Sequence, residues 1–366
     1  MDRQRIGRLA RTSLPLVAVL SIAVGVGATL AVAGDTLGFD FLAYHRAADR
    51  LLTGRPLYDM SYTQTGGFGL FYYPPTFAPF LLPFGALSAT SATWTWIVIS
   101  VAAFVVGALA MPVSMTVRWT TILLAGWSFP FVYAVKLGQV GPILFFLFAL
   151  GWRWLDRPAI LGVVGAVGAA IKLQPGLLLL WALLERRLRA VAAGAVVLAL
   201  LAGVTTLLAG LTSWTDFLTL IRAVSDPIRT EHNFTPGAIA FAEGASAEVA
   251  GVIQLISSVA VAALFLASIR WATDEASYMV AVIASQLLSP ILWDHYALLL
   301  LVPVAYLLAS GRWWAVVIPL VTAWPLVGIT PPVAYPVAFW VTLIAVFLVG
   351  HAATDPRQSL GEALAR

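Results

Sequence analysis

The feature that most constrains this chain is a predominantly apolar run of 20 residues, Leu14 to Ala33, followed by a succession of similar runs almost to its end. At ~1.5 Å per residue in a helix, a run of that length reaches across the ~30 Å hydrocarbon core of a bilayer. Lipid offers no hydrogen bonds, so each crossing segment must satisfy its own backbone. An all-α, polytopic transmembrane bundle follows. With 61% hydrophobic and only 10% charged residues, the chain does not read as soluble domains. A formal charge of +4 is too small to indicate nucleic acid as a partner. The absence of cysteine excludes disulfides, thiolate metal sites and a cysteine nucleophile.

Arg3, Arg5, Arg8 and Arg11 precede the first run and Ala31-Val32-Ala33 mimics a cleavage site, but the run exceeds a usual signal-peptide core. It reads as a retained first span, 12–33. Further candidates are 93–111, 119–135, 139–155, 189–211, 249–269, 277–290, 296–310, 313–327 and 333–350. Between Pro158 and Leu184 the apolar run breaks at Lys172-Leu173-Gln174-Pro175, with Arg153 and Arg157 before it and Arg186, Arg187 and Arg189 after. A hairpin turning at Lys172 keeps both basic clusters on the inner side, as the positive-inside rule prefers.

The expectation is a single membrane domain of about twelve spans in a plasma membrane, with both termini cytoplasmic. An outer loop occupies 34–91, spans two to seven 92–211, a second outer loop 212–248, spans eight to twelve 249–350, and a cytoplasmic tail 351–366. This arrangement puts 14 of the 21 basic and 7 of the 17 acidic residues inside.

The longest polar interval is Gly38 to Pro75. Phe41, Tyr44, Ala48, Leu51 and Leu52 share one helical face, and His45, Arg46, Asp49 and Arg50 the other, which predicts an amphipathic helix in the membrane interface. Gly54 and Pro56 end it. The proline-rich 74–87 is too short for a confident crossing and reads as in-plane or re-entrant. At the helix head, Asp40 has two compatible readings: an N-cap, or a catalytic base kept ionised by the helix N-terminus.

With this topology the polar motifs gather outside: Asp35 to Asp59, the tips at Lys136 and Lys172, Glu231-His232-Asn233, and Trp293-Asp294-His295. A composite site is the natural expectation. Both lysines of the chain sit at outer tips. Each reads either as a snorkelling helix-end residue or as a contact for a phosphate. His295 reads as an interfacial belt residue or as a donor near phosphate oxygens. Tyr72, Tyr73, Trp127 and Trp293 offer faces for a sugar, and also suit a belt or core.

No nucleotide loop, GxSxG elbow or HExxH zinc helix occurs, so an enzyme with this inventory would draw on a lipid-borne substrate. The alternative, a transporter or flippase for a lipid-linked glycan, calls for charge inside the spans, and none lies mid-span if the hairpin holds.

Six segments carry a resemblance: GFDFLAYHRAADRLLTGRPLYD, FYYPPTFAPFLLPFGALS, KLGQVGPILF, AAIKLQPGLLLLWALLERRLRA, EHNFTPGAI and SPILWDHYALLLLVP. Together they resemble the GT-C membrane glycosyltransferases of glycosyltransferase family 87, the polyprenol-phosphate-mannose-dependent α-1,2-mannosyltransferases. The resemblance implies a polyprenyl-phosphate sugar as donor, a glycolipid or lipoglycan as acceptor, and membrane lipid as surroundings. It implies Asp40 as catalytic base, with Asp35 as competitor. Lys172 and His295 then stand at the donor phosphate, with Lys136 and Arg46 as further contributors. His45, Tyr73, His232, Asn233 and Trp293 are the expected acceptor or sugar contacts. Family members often carry a His-His pair where this chain has His295-Tyr296. The scheme needs no cofactor and no metal.

Overall fold

The computed structural model describes residues 3–61 and 69–354, and among them the chain is helical with no β-strand. The segment 62–68 of the outer loop and the tail from 355 onward lie outside the described residues.

Among the described residues, five helices are long and apolar enough to cross a membrane. These are α1 (Arg3–Ala33), α4 (Ala89–Ala110), α10 (Leu188–Ala209), α13 (Ala247–Trp271) and α17 (Ala334–Ala352). Between them run α2 (Phe39–Leu52), α3 (Ala78–Gly85), α5 (Met115–Trp127), α6 (Phe129–Leu137), α7 (Gly141–Arg153), α8 (Pro158–Ile171) and α9 (Leu177–Leu184). The remainder are α11 (Thr212–Val224), α12 (Pro236–Ala242), α14 (Asp274–Leu287), α15 (Leu301–Ala309) and α16 (Val317–Leu320).

Prolines explain much of the shortness. Pro130 is the second residue of α6, two after the Ser128 break, so the run expected at 119–135 is two helices, α5 and α6. Leu173 to Gly176 turn the chain between α8 and α9 where the hairpin was expected.

The long helices present apolar side chains outward, with Leu200, Leu207, Leu255 and Ile256 all exposed. That is the surface a helix offers to lipid rather than water. By contrast, α14 is buried on every side from Ala276 to Leu287 and forms the centre of the bundle. Small residues let neighbouring helices close up: a Cβ on Gly162 of α8 would lie 2.0 Å from the Ala190 carbonyl oxygen of α10.

Helix α2 buries Phe41, Ala43, Tyr44, Ala47 and Ala48 and leaves Arg46 exposed. Its apolar face is taken up by protein: Phe41 stacks on Trp96 at 5.2 Å and meets Phe84 edge-on at 5.7 Å. Leu52, expected on that face, is exposed. The eight residues of α3 span only ~12 Å, well short of a crossing. Arg50 donates to the Pro56 and Tyr58 carbonyls, folding the Gly54–Asp59 segment back so that the Tyr58 hydroxyl donates to the Tyr73 carbonyl at 2.7 Å.

Candidate active site

Asp40 is not the cap of α2. Gly38 occupies that position with φ 71°, and its N–H donates to the Lys136 carbonyl at 2.7 Å, tying the start of α2 to the end of α6. Asp40 therefore sits in the first helical turn, where the exposed backbone N–H groups favour a carboxylate. The facing turn is equally constrained. Gly138 has φ 69°, a Cβ there would lie 2.5 Å from the Phe41 Cβ, and its carbonyl accepts from the Trp96 indole at 2.7 Å. This close approach delivers Gln139 to the aspartate.

The Gln139 amide N–H donates to Asp40 Oδ2. Its Oε1 accepts from the Tyr73 hydroxyl at 3.0 Å and lies 3.4 Å from that of Tyr44, which donates to Tyr73 at 2.6 Å. All three supporting side chains are buried.

The opposite wall follows α14. Asp294 Oδ1 accepts from the His295 backbone N–H at 2.6 Å and faces His295 Nδ1 at 3.2 Å. The imidazole is near-parallel to Trp293 and lies edge-on to Tyr296 at 5.0 Å. Its Nε2 is buried without a hydrogen-bond partner among the described residues. That carboxylate–imidazole pairing favours a proton on Nδ1 and turns Nε2 to the site.

Asp40, Gln139, Tyr133, His232, Asp294 and His295 line one cavity of about 100 Å³. His232 reaches it through a left-handed backbone, φ 56°, a conformation uncommon for a residue with a side chain. Asn233 fixes that turn. Its Oδ1 accepts from the Thr235 and Leu292 N–H groups at 3.0 and 2.9 Å, and its Nδ2 donates to the Pro227 and Pro290 carbonyls at 2.6 and 3.1 Å. The amide is used up by backbone, so Asn233 joins the two loops and has no capacity left for a sugar.

A second cavity, of about 200 Å³, adjoins the first and shares Tyr72 and Trp293 with it. Leu173, Phe217, Ile221 and Ile291 make it largely apolar, and Lys172 and Tyr73 stand in its lining. The Lys172 ammonium lies 4.0 Å from the Tyr296 ring centroid and 5.4 Å from that of Tyr73, and it makes no ion pair among the described residues. Aromatic faces hold a cation without neutralising it. Burial pulls the Lys172 ammonium down to about 7, with Asp40 opposing, so an anion entering the cavity would favour its charged form.

Burial pushes the Asp40 carboxyl above the ordinary carboxylate range. Asp294 adds to the rise, while His295, the Gln139 hydrogen bond and Lys172 oppose it. A base that titrates above a free aspartate is stronger once ionised.

Asp40, Lys172, His232, Trp293, Tyr73 and His295 thus converge on two joined cavities. The other expected contributors do not line them. His45 points to the Leu87 carbonyl at 3.0 Å, Arg46 is exposed, Asp35 is exposed, and Lys136 lies over the Tyr133 ring at 5.5 Å. Gln139 and Asp294 are the site residues that sequence reasoning did not single out for a role; each lay inside a segment already marked, KLGQ and WDH. Among the described residues no group of three His, Asp or Glu is placed to hold a metal ion.

No curated protein and no solved structure matches the chain. The family model for glycosyltransferase family 87 matches residues 71–292, which include Gln139, Lys172 and His232. That match covers more than half of the 366 residues, and the chain belongs to glycosyltransferase family 87.

Proposed function

We propose that this glycosyltransferase is an inverting enzyme that moves a mannosyl residue from a polyprenyl-phosphate carrier to a hydroxyl of a glycolipid or lipoglycan. The α-1,2 linkage and a site on the outer side of a plasma membrane belong to the same reading, as do the twelve spans with cytoplasmic termini. The observation that carries it is the pair of joined cavities: a carboxylate beside a polar one, and an unpaired ammonium in the apolar one.

The apolar cavity suits the first units of a prenyl chain, with Lys172 at the phosphate, and Trp293 and Tyr72 provide a face for the sugar at the junction. Asp40 takes the proton of the acceptor hydroxyl as its oxygen forms a bond to the anomeric carbon. The bond from that carbon to the phosphate oxygen breaks, and its electron pair leaves with the phosphate. Phosphate needs no general acid, only positive or hydrogen-bonding groups for its growing charge. Lys172 supplies one, and His295, held by Asp294 at Nδ1, presents Nε2 as the other. Attack opposite to the leaving group inverts the centre, so a β-linked donor yields an α-glycoside.

The test is transfer of radiolabelled mannose from polyprenyl-phosphate-mannose to membrane lipid by wild type and Asp40→Asn. Transfer by the wild type and none by an equally expressed variant is the expected result. Equal transfer by both removes Asp40 as the base, and no transfer by either removes mannose as the donor sugar.

A further inference from the structure

The hydrogen bonds behind Asp40 share one direction. Tyr44 donates to Tyr73, Tyr73 to Gln139 Oε1, and Gln139 Nε2 to Asp40 Oδ2, so each donor points toward the carboxylate. Tyr44 is 1% and Tyr73 6% exposed, which denies them water as an alternative partner. If the Gln139 amide were turned over, its oxygen would face the carboxylate and lose that bond, and the Tyr73 hydroxyl would lose the acceptor it now donates to. A buried polar group left unpaired costs about 1–3 kcal/mol, and aligned hydrogen bonds strengthen one another.

Asp40 Oδ1 has no hydrogen-bond partner among the described residues, and the carboxylate stands in the wall of the polar cavity. The bridge thus distinguishes the two oxygens: Oδ2 is engaged by Gln139, and Oδ1 is left without a hydrogen-bond partner among the described residues. The Tyr73 ring also lies beside Lys172, so the same side chain touches the apolar cavity.

We propose that Gln139 is the positioning residue of the base: the amide, set by the Tyr73 and Tyr44 hydroxyls, holds Asp40 Oδ2 and aims Oδ1 at the acceptor hydroxyl. This role rests on the proposed transfer reaction. Gln139 shares the cavity wall with Asp40 and acts on the reaction through the carboxylate it holds. It keeps the buried carboxylate ionised and fixes its rotamer, while Tyr73 carries the arrangement across to the donor side.

The test uses the full chain purified in detergent, with its folding checked by thermal unfolding. An infrared pH titration follows the carboxyl stretch of Asp40, identified as the band missing from Asp40→Asn. The band is expected to titrate at higher pH in Gln139→Leu than in wild type, because a donor to the ionised form has gone. Tyr73→Phe is expected to shift it the same way by less. Should Gln139→Leu fail to fold, Tyr73→Phe, which removes one oxygen atom, carries the titration alone. Identical titration in the folded variants and the wild type overturns the proposal.

In transfer assays Gln139→Leu is expected to lose roughly tenfold to hundredfold near neutral pH, to recover as the pH rises, and to keep its KM for the donor. A loss uniform across pH, or one confined to KM, also overturns it. A wild type inactive toward polyprenyl-phosphate sugars would instead remove the transfer reaction, and the infrared result would still decide whether Gln139 tunes Asp40.

Discussion

At one end of α14, Arg187 donates to Asp274 and to the Leu155 carbonyl at 2.6 Å, and its guanidinium lies over Trp181 at 4.9 Å. Just beyond the other end, among the described residues, Lys172 lies against aromatic rings and makes no ion pair, His295 has a buried Nε2 with no hydrogen-bond partner, and Asp40 accepts from one amide. Both ends bring charge against a buried helix. One end ties its cation to a carboxylate, and the other pairs only His295 with Asp294 among the described residues and leaves Lys172 and Asp40 outside any ion pair. Folding alone favours pairing, because an unpaired charge in a low-dielectric setting is costly. On the proposed reading, the end around Lys172 and Asp40 is where this fold gives up stability for chemistry.

Replacing Asp40 should divide the two ends most sharply. Asp40→Asn is expected to lower transfer by about 10²–10⁴, the usual worth of a general base. Because burial raises the carboxyl in the folded state above its unfolded value, its protonated form stabilises the fold at low pH, and that contribution is lost as the pH rises through the folded value. The variant should unfold at a higher temperature than wild type at pH 7, with the gap closing toward pH 4. An inactive variant with no such gain would mean that the aspartate is not strained.

Next in size, Lys172→Gln is expected to raise the donor KM roughly tenfold to hundredfold, the value of a charge-assisted contact to phosphate. Lys172→Arg should restore it only in part, since a planar guanidinium does not substitute for a compact ammonium between two rings. Unchanged donor kinetics in Lys172→Gln would break the division of labour between the cavities.

Asn233→Ala should destabilise the chain by about 1–3 kcal/mol in denaturant unfolding, because it orphans the Leu292 N–H and the Pro290 carbonyl. His232→Ala should leave stability unchanged and raise the acceptor KM, which separates the residue that holds the loop from the residue it presents. Smallest of all, Asp274→Asn should cost no more than about 1 kcal/mol and leave transfer intact, since that carboxylate is 68% exposed. A loss of activity there would show that the paired end also serves catalysis.

The apolar runs made the helical architecture legible, and Asp40, Lys172, His232 and His295, each visible as a polar residue between apolar runs, line two joined cavities. Arg46 and His45 were misplaced because they were counted as polar neighbours of Asp40. At ~100° per residue, positions five and six along α2 turn well away from it. Gln139 carried no charge to mark it. Its significance lies in Tyr73, 66 residues earlier, and Asp40, 99 residues earlier, a relation that local pattern does not encode. Asn233 was visible as a polar residue in a loop, but only the backbone of the neighbouring segment reveals that its amide is fully occupied.

The contact of the Gly138 turn with Phe41 has one more consequence. With the Gly38 N–H on the Lys136 carbonyl, the Trp96 indole on the Gly138 carbonyl and no room for a Cβ between the segments, the base and its amide form a single block. Such a block does not wait for substrate to organise it. On the proposed mechanism, the entropy of fixing the proton acceptor is met once, at folding, and only the incoming hydroxyl remains to be aligned at each turnover.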